Sequence, residues 1–280
     1  MKHGSSYNAL AMVLVVATVA CSPGPSPGAG KPEFASAAPS PGQRRRPVTP
    51  GLFRPASTAF FLRSTNTSGD PERVVGFGAG SDLPLAGDWD GAAGASIGVF
   101  RPRGALFLLR NRNQPGEPDL AFAFGVPGDQ PLAGDWDGDG ITTVGVYRPG
   151  SSSFHLRNQN ASGATDLIIA FGAPGDLPLA GDWNGDGVTT IGVYRPSNST
   201  FYLRNAHLPG PPDLTVPFGA PGDLPLAGDW DADRVSTLGV FRPRDGTFHL
   251  RNANTPGAPD LVLSFGARGD LPVMGAWDLR

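Results

Sequence analysis

The stretch LAGDWDGDGITTVGVYRP, residues 132–149, contains the features from which the fold is inferred. It reads as a short strand, an Asp-Gly loop, and a second strand rich in β-branched and aromatic residues. The segments FHLRN and LIIAFG that follow complete four short strands, and none of them shows a helical period. Asp135, Asp137 and Asp139 lie within five consecutive residues, so the loop must hold three carboxylates close together.

The same unit recurs five times at a constant spacing of 47 residues. Its Gly-Asp-Trp step starts at Gly87, Gly134, Gly181 and Gly228, and it returns as Gly-Ala-Trp at Gly275. Four strands in about 47 residues make one blade of a β-propeller, and propellers contain about four to eight blades. We therefore predict an all-β fold, a five-bladed β-propeller of four-stranded repeats over residues 51–280.

The phase of the repeat predicts how the ring closes. The propeller begins at Gly51 with the second strand of a unit, and it ends near Asp278 with a first strand. If 271–278 pairs beside the N-terminal strand, both termini complete one blade and no sheet edge stays open. Four aromatic positions per unit are predicted to pack between blades: Trp89, Trp136, Trp183, Trp230 and Trp277; Phe53, Phe100, Tyr147, Tyr194 and Phe241; Phe60, Phe107, Phe154, Phe201 and Phe248; Phe77, Phe124, Phe171, Phe218 and Phe265.

The first 50 residues differ in composition from the repeats. Residues 1–20 carry Lys2 and then an apolar run of about twelve residues, which suits an export signal and is too short to span a membrane. The segment ending Val19-Ala20-Cys21 resembles the lipobox of bacterial lipoproteins, which implies a lipid anchor at Cys21. Ordinary secretion after cleavage at Ala20 is the alternative. Residues 21–50, rich in Pro, Gly and Ser, are predicted to be a disordered tether outside the cytoplasm.

The Asp loop has the ligand spacing of calcium-binding loops. Counted from Asp135, Asp lies at positions 1, 3 and 5 and Gly at position 6, as in loops that gather oxygen ligands around Ca²⁺. An EF-hand needs Glu at position 12, where this chain has Val146. Together with Phe124-Gly125 before it and Val144–Tyr147 after it, the loop resembles FG-GAP and VCBS-type repeats of integrin-like propellers across residues 51–280. The resemblance implies calcium binding and a role in adhesion or ligand recognition.

Counted along the chain, the Asp loops begin at Asp88, Asp135, Asp182 and Asp229, and we expect calcium in the second and third of them. Family loops carry another acid at position 9, where this chain has Ser or Thr, so we expect dissociation constants on the order of 0.1 to 1 mM. The alternative is that the carboxylates only cap backbone N–H groups of Asp-Gly hairpins. In the fourth loop Arg234 replaces the Gly and is expected to bring positive charge to Asp229. The expected ligands are Asp135, Asp137, Asp139 and Thr143, then Asp182, Asn184, Asp186 and Thr190, with partial sets at Asp88, Asp90, Asp229, Asp231 and Asp233.

The remaining charged residues do not suggest catalysis or nucleic-acid binding. Residues 1–50 hold five of the 22 basic and one of the 25 acidic groups, so the repeats carry a net charge of −7, which argues against nucleic acid. His155 and His249 occupy a strand position of variable content, and His207 lies in a Pro-rich loop. The recurring arginines, such as Arg148 and Arg157, are expected to pair with recurring acids such as Asp129, Asp176 and Asp223.

We therefore expect a non-enzymatic, monomeric binding or adhesion module for an extracellular glycan or protein. The ligand contacts should come from two segments that vary between copies, one between the second and third strands and one after Arg-Asn. A structural docking scaffold for another envelope protein is the alternative, and a carbohydrate-active enzyme is the third possibility. No membrane contact is expected apart from the lipid anchor.

Overall fold

Twenty short strands form five four-stranded antiparallel sheets in the computed structural model, which describes residues 46–92 and 94–279. This confirms the predicted five-bladed β-propeller. Blade 1 contains β20 and β1 to β3; blades 2 to 5 contain β4–β7, β8–β11, β12–β15 and β16–β19. The strands are β1 Thr49–Arg54, β2 Ala59–Leu62, β3 Arg73–Gly76, β4 Leu83–Gly87, β5 Ser96–Arg101, β6 Leu106–Leu109, β7 Leu120–Ala123, β8 Gln130–Gly134, β9 Thr143–Arg148, β10 Ser153–Leu156, β11 Leu167–Ala170, β12 Leu177–Gly181, β13 Thr190–Arg195, β14 Thr200–Leu203, β15 Leu214–Pro217, β16 Leu224–Gly228, β17 Thr237–Arg242, β18 Thr247–Leu250, β19 Leu261–Ser264 and β20 Leu271–Gly275.

The ring closes through the chain termini, as the repeat phase predicts. β20 pairs antiparallel with β1, and the register runs from Thr49 opposite Gly275 to Phe53 opposite Leu271. β1 begins two residues before the predicted start of the propeller, and Arg46 already donates a hydrogen bond to the Trp277 carbonyl at 2.9 Å. The predicted signal segment, Cys21 and nearly all of the predicted tether lie outside the described residues. Across the described ranges, no helix has the length and apolar character needed to cross a bilayer.

The recurring aromatic residues fill the space within and between the blades. All twenty are buried, which confirms the packing role predicted for them. In blade 3 the Tyr147 and Phe154 rings lie 4.8 Å apart, and the Trp136 indole donates to the Val144 carbonyl at 3.3 Å. Gly134 must be glycine because a Cβ there would lie 2.7 Å from the Trp136 ring. The Gly-Asp-Trp step therefore places a backbone strand directly against an indole.

Neighbouring blades meet through their first strands and through the Asp loops. The first strands, such as β4 and β8, contact one another around the central axis. In blade 3 the backbone carbonyl of Asp135 accepts a 2.7 Å hydrogen bond from Thr189 N–H of blade 4, and the Thr189 hydroxyl accepts one from Asp135 N–H at 3.1 Å. Thr142 bonds Asp88, and Ser236 bonds Asp182, in the same way. Each of these Asp loops is thus held by the blade that follows it.

Candidate functional site

The Asp135 loop is organised around one buried carboxylate. Asp135 Oδ1 accepts hydrogen bonds from the N–H groups of Gly138 and Asp139 at 2.8 and 3.1 Å, and Oδ2 accepts one from Gly140 at 2.9 Å. Gly138 and Gly140 have φ values of 75° and 91°, a region that glycine adopts without strain. The carboxylate therefore caps backbone N–H groups, which is the hairpin chemistry expected of an Asp-Gly loop without metal.

The same loop retains negative charge that these hydrogen bonds do not cancel. Burial raises the pKa of Asp135 to about 7, the Gly140 N–H group opposes this rise, and the charges of Asp139 and Asp137 add to it. Oxygen atoms of the three carboxylates lie within 4.8 Å of one another. Carboxylate oxygens at this separation suit a hard divalent cation, so the residues of this loop fit a metal ion such as calcium.

The third loop repeats the backbone arrangement with one neutral side chain. Asp182 accepts hydrogen bonds from the N–H groups of Gly185 and Gly187 at 2.7 and 2.9 Å, and burial raises its pKa. The Asn184 amide donates to Asp186 Oδ2 at 2.9 Å. Two of the four expected ligand residues are therefore already bonded to each other, and this loop holds less uncompensated charge than the Asp135 loop.

The two threonines expected at position 9 lie at the base of their hairpins. The Thr143 hydroxyl donates to the Gly134 carbonyl at 3.3 Å, and the Thr190 hydroxyl donates to the Gly181 carbonyl at 3.2 Å. Both residues are buried. Each hydroxyl thus has a partner on the adjacent strand, where it joins β8 to β9 or β12 to β13.

The fourth loop differs from the expectation for its arginine. Asp229, Asp231 and Asp233 offer oxygens within 4.8 Å of one another, and burial raises the pKa of Asp229. Arg234 reaches Asp229 through its backbone N–H at 2.9 Å, and among the described ion pairs none joins its guanidinium to Asp229. The expected cancellation by the side chain is therefore wrong. Arg234 occupies the position that Gly140 has in the second loop, and like Gly140 it donates its backbone N–H to the first Asp, at a φ of 88°.

The first loop keeps only part of the set. Asp88 is buried, and Asp90 Oδ1 accepts a hydrogen bond from Ala92 N–H at 3.2 Å. Ala92 supplies no oxygen ligand at position 5. This loop therefore provides a natural comparison for the complete set at Asp135.

The arginines of the recurring Arg-Pro steps form bidentate ion pairs with aspartates, as predicted. Arg148 donates through Nε and Nη2 to the two carboxylate oxygens of Asp129, both at 2.9 Å. The second recurring arginine does not pair with the Asp129 set, and Arg157 donates to the Ala164 carbonyl in its own loop. Its counterparts in three other blades do pair with a different recurring acid, which confirms the predicted pairing with recurring acids there: Arg110–Asp119, Arg204–Asp213 and Arg251–Asp260. The equivalent bidentate pairs are Arg54–Asp270, Arg101–Asp82, Arg195–Asp176 and Arg242–Asp223.

The three histidines in the described part of the chain occupy different places. His155 and His249 each bond a hydroxyl two residues earlier at 3.0 Å, on Ser153 and Thr247 respectively. His207 is half-buried, and its ring faces the carbonyls of Trp136 and Thr189 outside hydrogen-bonding geometry. At the same register position the other blades have an asparagine, which the 47-residue period alone could have revealed: Asn66, Asn113, Asn160 and Asn254.

The variable segments lie at both ends of the blades. Because the strands are antiparallel, the β10–β11 connection lies at the same end as the Asp135 loop, and the β9–β10 turn lies at the opposite end. Two grooves run along blade junctions: one of about 460 Å³ between blades 3 and 4, and one of about 440 Å³ between blades 4 and 5. Sequence reasoning missed both grooves, since residues about 50 positions apart line them.

Comparison with known proteins shows no family for this chain. No protein-family profile matches the chain. No curated protein matches it either. One solved structure with a likeness is that of BBS1N in complex with ARL6DN, soaked with lead, at 10% identity and a TM-score of 0.41; the likeness covers 66% of this chain and 57% of that chain. The resemblance to FG-GAP and VCBS-type repeats therefore stays a prediction based on the loop residues.

Proposed function

We propose that this protein is a non-enzymatic binding module outside the cytoplasm, and that calcium in its Asp loops stiffens the propeller. The observation that carries the proposal is the Asp135 loop. Its three carboxylates lie within 4.8 Å, and its first residue is buried with a pKa raised to about 7. Bound calcium would neutralise this charge and keep the carboxylates ionised.

Stiffening follows from the position of the loop between two blades. The backbone of Asp135 is bonded in both directions to Thr189 of the next blade. A cation that orders the loop would therefore order a blade junction as well. A rigid ring that presents variable loops is a common arrangement for ligand recognition, because the scaffold fixes the loops without constraining their sequence. Cys21 would supply the lipid anchor that holds the module at the envelope.

The first test is thermal unfolding of the purified chain in a calcium titration against a chelator. With a dissociation constant on the order of 0.1 to 1 mM, about 10 mM calcium should stabilise the native state by roughly 1.4 to 2.7 kcal/mol. For a domain of this size that corresponds to a rise in Tm of about 3 to 10 °C.

Two variants make the test specific to the loop. Asp135→Ala combined with Asp137→Ala should abolish most of the rise, because it removes two of three carboxylates. Asp90→Ala, in the loop that lacks the third acid, should leave the rise intact. A calcium response as large in the double variant as in the wild type, or no response at all, would contradict the calcium part of the proposal.

A docking scaffold is the second candidate function, and one observation favours it. Val74, Ile168 and Val262 occupy the same position of the outermost strands and are 53%, 65% and 59% exposed. Apolar side chains repeated on the rim suit a protein partner. Co-purification of one stoichiometric partner, lost on Ile168→Ser with Val262→Ser, would support this function over ligand recognition.

A further inference from the structure

We propose that the two grooves at the junctions of blades 3 and 4 and of blades 4 and 5 are equivalent sites for a neutral saccharide. This inference rests on the proposed binding function and names its ligand class. In the first groove the polar lining includes Ser151, Ser152 and Arg195, beside the ring of Tyr202. In the second groove the equivalent lining is Asn198, Ser199 and Arg242, beside the ring of His249.

The charge in each groove favours a neutral ligand. Arg195 donates through Nε and Nη2 to both oxygens of Asp176 at 2.8 Å, which leaves Nη1 outside the pair. Asp176 is buried, whereas the guanidinium is one-third exposed. Arg242 pairs in the same way with Asp223. Each groove therefore presents guanidinium N–H donors whose positive charge is already neutralised, and such donors suit hydroxyl oxygens better than phosphate or carboxylate.

The planar rings supply the apolar half of a sugar-binding surface. The Tyr202 ring lies 4.6 Å from the Arg195 guanidinium carbon, and its hydroxyl accepts a hydrogen bond from Asn198 at 3.0 Å. Since Asn198 also lines the second groove, the two sites are linked through one side chain. Binding sites for small ligands combine apolar walls with a few oriented polar groups, and a sugar ring offers both C–H faces and hydroxyls to match.

Buried phenol hydroxyls under both grooves give an independent indication of a ligand. Tyr147 is 1% exposed, and its hydroxyl has no hydrogen-bond partner among the described residues. It lies under Gly172 of the groove, where a Cβ would be 3.1 Å from it. Tyr194 is fully buried, equally unpartnered, and lies under Gly219 of the second groove at 3.2 Å.

Such hydroxyls are unfavourable unless something else bonds them. Burial raises the pKa of Tyr147, and the Ser152 hydroxyl beside it acts in the opposite direction, but the two oxygens are not in hydrogen-bonding geometry. A sugar hydroxyl, or a water that bridges to it, would complete the network through Ser152. Ser199 stands in the same relation to Tyr194.

The repeat itself shows that these hydroxyls are not needed for packing. At the register position of Tyr147 and Tyr194, the other three blades have Phe53, Phe100 and Phe241, all fully buried. The junction of blades 2 and 3 contains His155, the counterpart of His249, but lies over Phe100. Only the two proposed sites among the five junctions therefore combine three features. These are a buried tyrosine, a serine or asparagine at the turn, and a ring on the third strand of the next blade.

The test uses an array of immobilised neutral and acidic oligosaccharides, followed by calorimetry with the best free neutral sugar. The purified chain should be retained on neutral glycans and released by that sugar. The double variant Tyr147→Phe with Tyr194→Phe should bind at least about tenfold more weakly at an unchanged or higher Tm, because phenylalanine already packs at this position in three blades and the variant removes two unpartnered hydroxyls. His155→Leu, which copies Leu108 of blade 2 at a junction without the tyrosine, should bind as the wild type does.

Three outcomes would overturn the assignment: retention on acidic glycans alone, no retention on any glycan, or full affinity in the tyrosine double variant. The outcome for the proposed function is read separately. If the chain is retained on no glycan, but the calcium-dependent rise in Tm and a stoichiometric protein partner are found, the grooves are not saccharide sites and the binding function stands. If the chain binds glycans but shows no calcium response, the saccharide sites stand and the calcium part of the proposed function fails.

Discussion

Protonation of Asp135 should make the calcium-free loop more stable in mild acid than in mild base. Its folded-state pKa, about 7, is raised above the usual 3.8 by burial, so the native state binds the proton more tightly than the unfolded state. The loop therefore destabilises the fold increasingly as the pH rises from about 4 to 7. Above pH 7 the destabilisation has reached its full value. Between about pH 8 and pH 5.5 the difference amounts to roughly 2 kcal/mol for this one group.

The measurement is the difference in Tm between the wild type and Asp135→Asn, in chelator, across this pH range. Burial lowers the pKa of His155, His207 and His249, so these groups remove stability as the pH falls below about 6.5. They are common to both proteins and cancel in the difference. The amide that would face the Gly140 N–H adds a penalty, but that penalty does not vary with pH.

The wild type should gain about 4 to 8 °C relative to Asp135→Asn between about pH 8 and pH 5.5, since 1 kcal/mol shifts Tm by about 2 to 4 °C in a domain of this size. Millimolar calcium should remove the pH dependence of the difference at the basic end, because the cation stabilises the carboxylate. A Tm difference that is constant with pH in chelator would refute the reasoning. The backbone N–H groups would then compensate the Asp135 charge fully.

Two further changes test the closure and the histidine position. Arg54→Gln leaves the buried Asp270 carboxylate without its partner and should lower stability by about 2 to 3 kcal/mol, less than for a fully buried pair because Arg54 is 36% exposed. Arg101→Gln, which breaks the equivalent pair in blade 2, should lower global stability by a similar amount. Only Arg54→Gln should accelerate amide exchange in β20, and equal acceleration in both variants would contradict a role of the Arg54 pair in ring closure. His207→Asn should raise Tm by about 2 to 4 °C, since one amide nitrogen can donate to both the Trp136 and the Thr189 carbonyls, as Asn66 does to their counterparts. An unchanged or lower Tm in calorimetry would show that the hydrogen bonds of the histidine are already satisfied.

The candidate site was only partly predictable from its residue spacing. The Asp135 set is brought together as expected, because residues at positions 1, 3 and 5 of one tight loop must share its interior. The role of Arg234 was not predictable, since a residue can reach a carboxylate through its N–H group or its side chain, and only the backbone conformation selects between them. The partner of Arg157 is another such case, because the chain offers both the Ala164 carbonyl, 7 positions ahead, and Asp129, 28 positions back, and only the fold selects between them.

The sequence by itself determined the blade count, the aromatic core, the bidentate arginine pairs and the closure of β1 with β20. These follow from a repeat without insertions, in which every local pattern occurs five times and its phase specifies which strand is missing at each terminus. Only the tertiary structure decided how the blades meet: Thr189 lies against Asp135, and His207 lies against Trp136. Such contacts join residues about 50 to 70 positions apart, and their geometry depends on the rotation between adjacent blades, which no local spacing encodes.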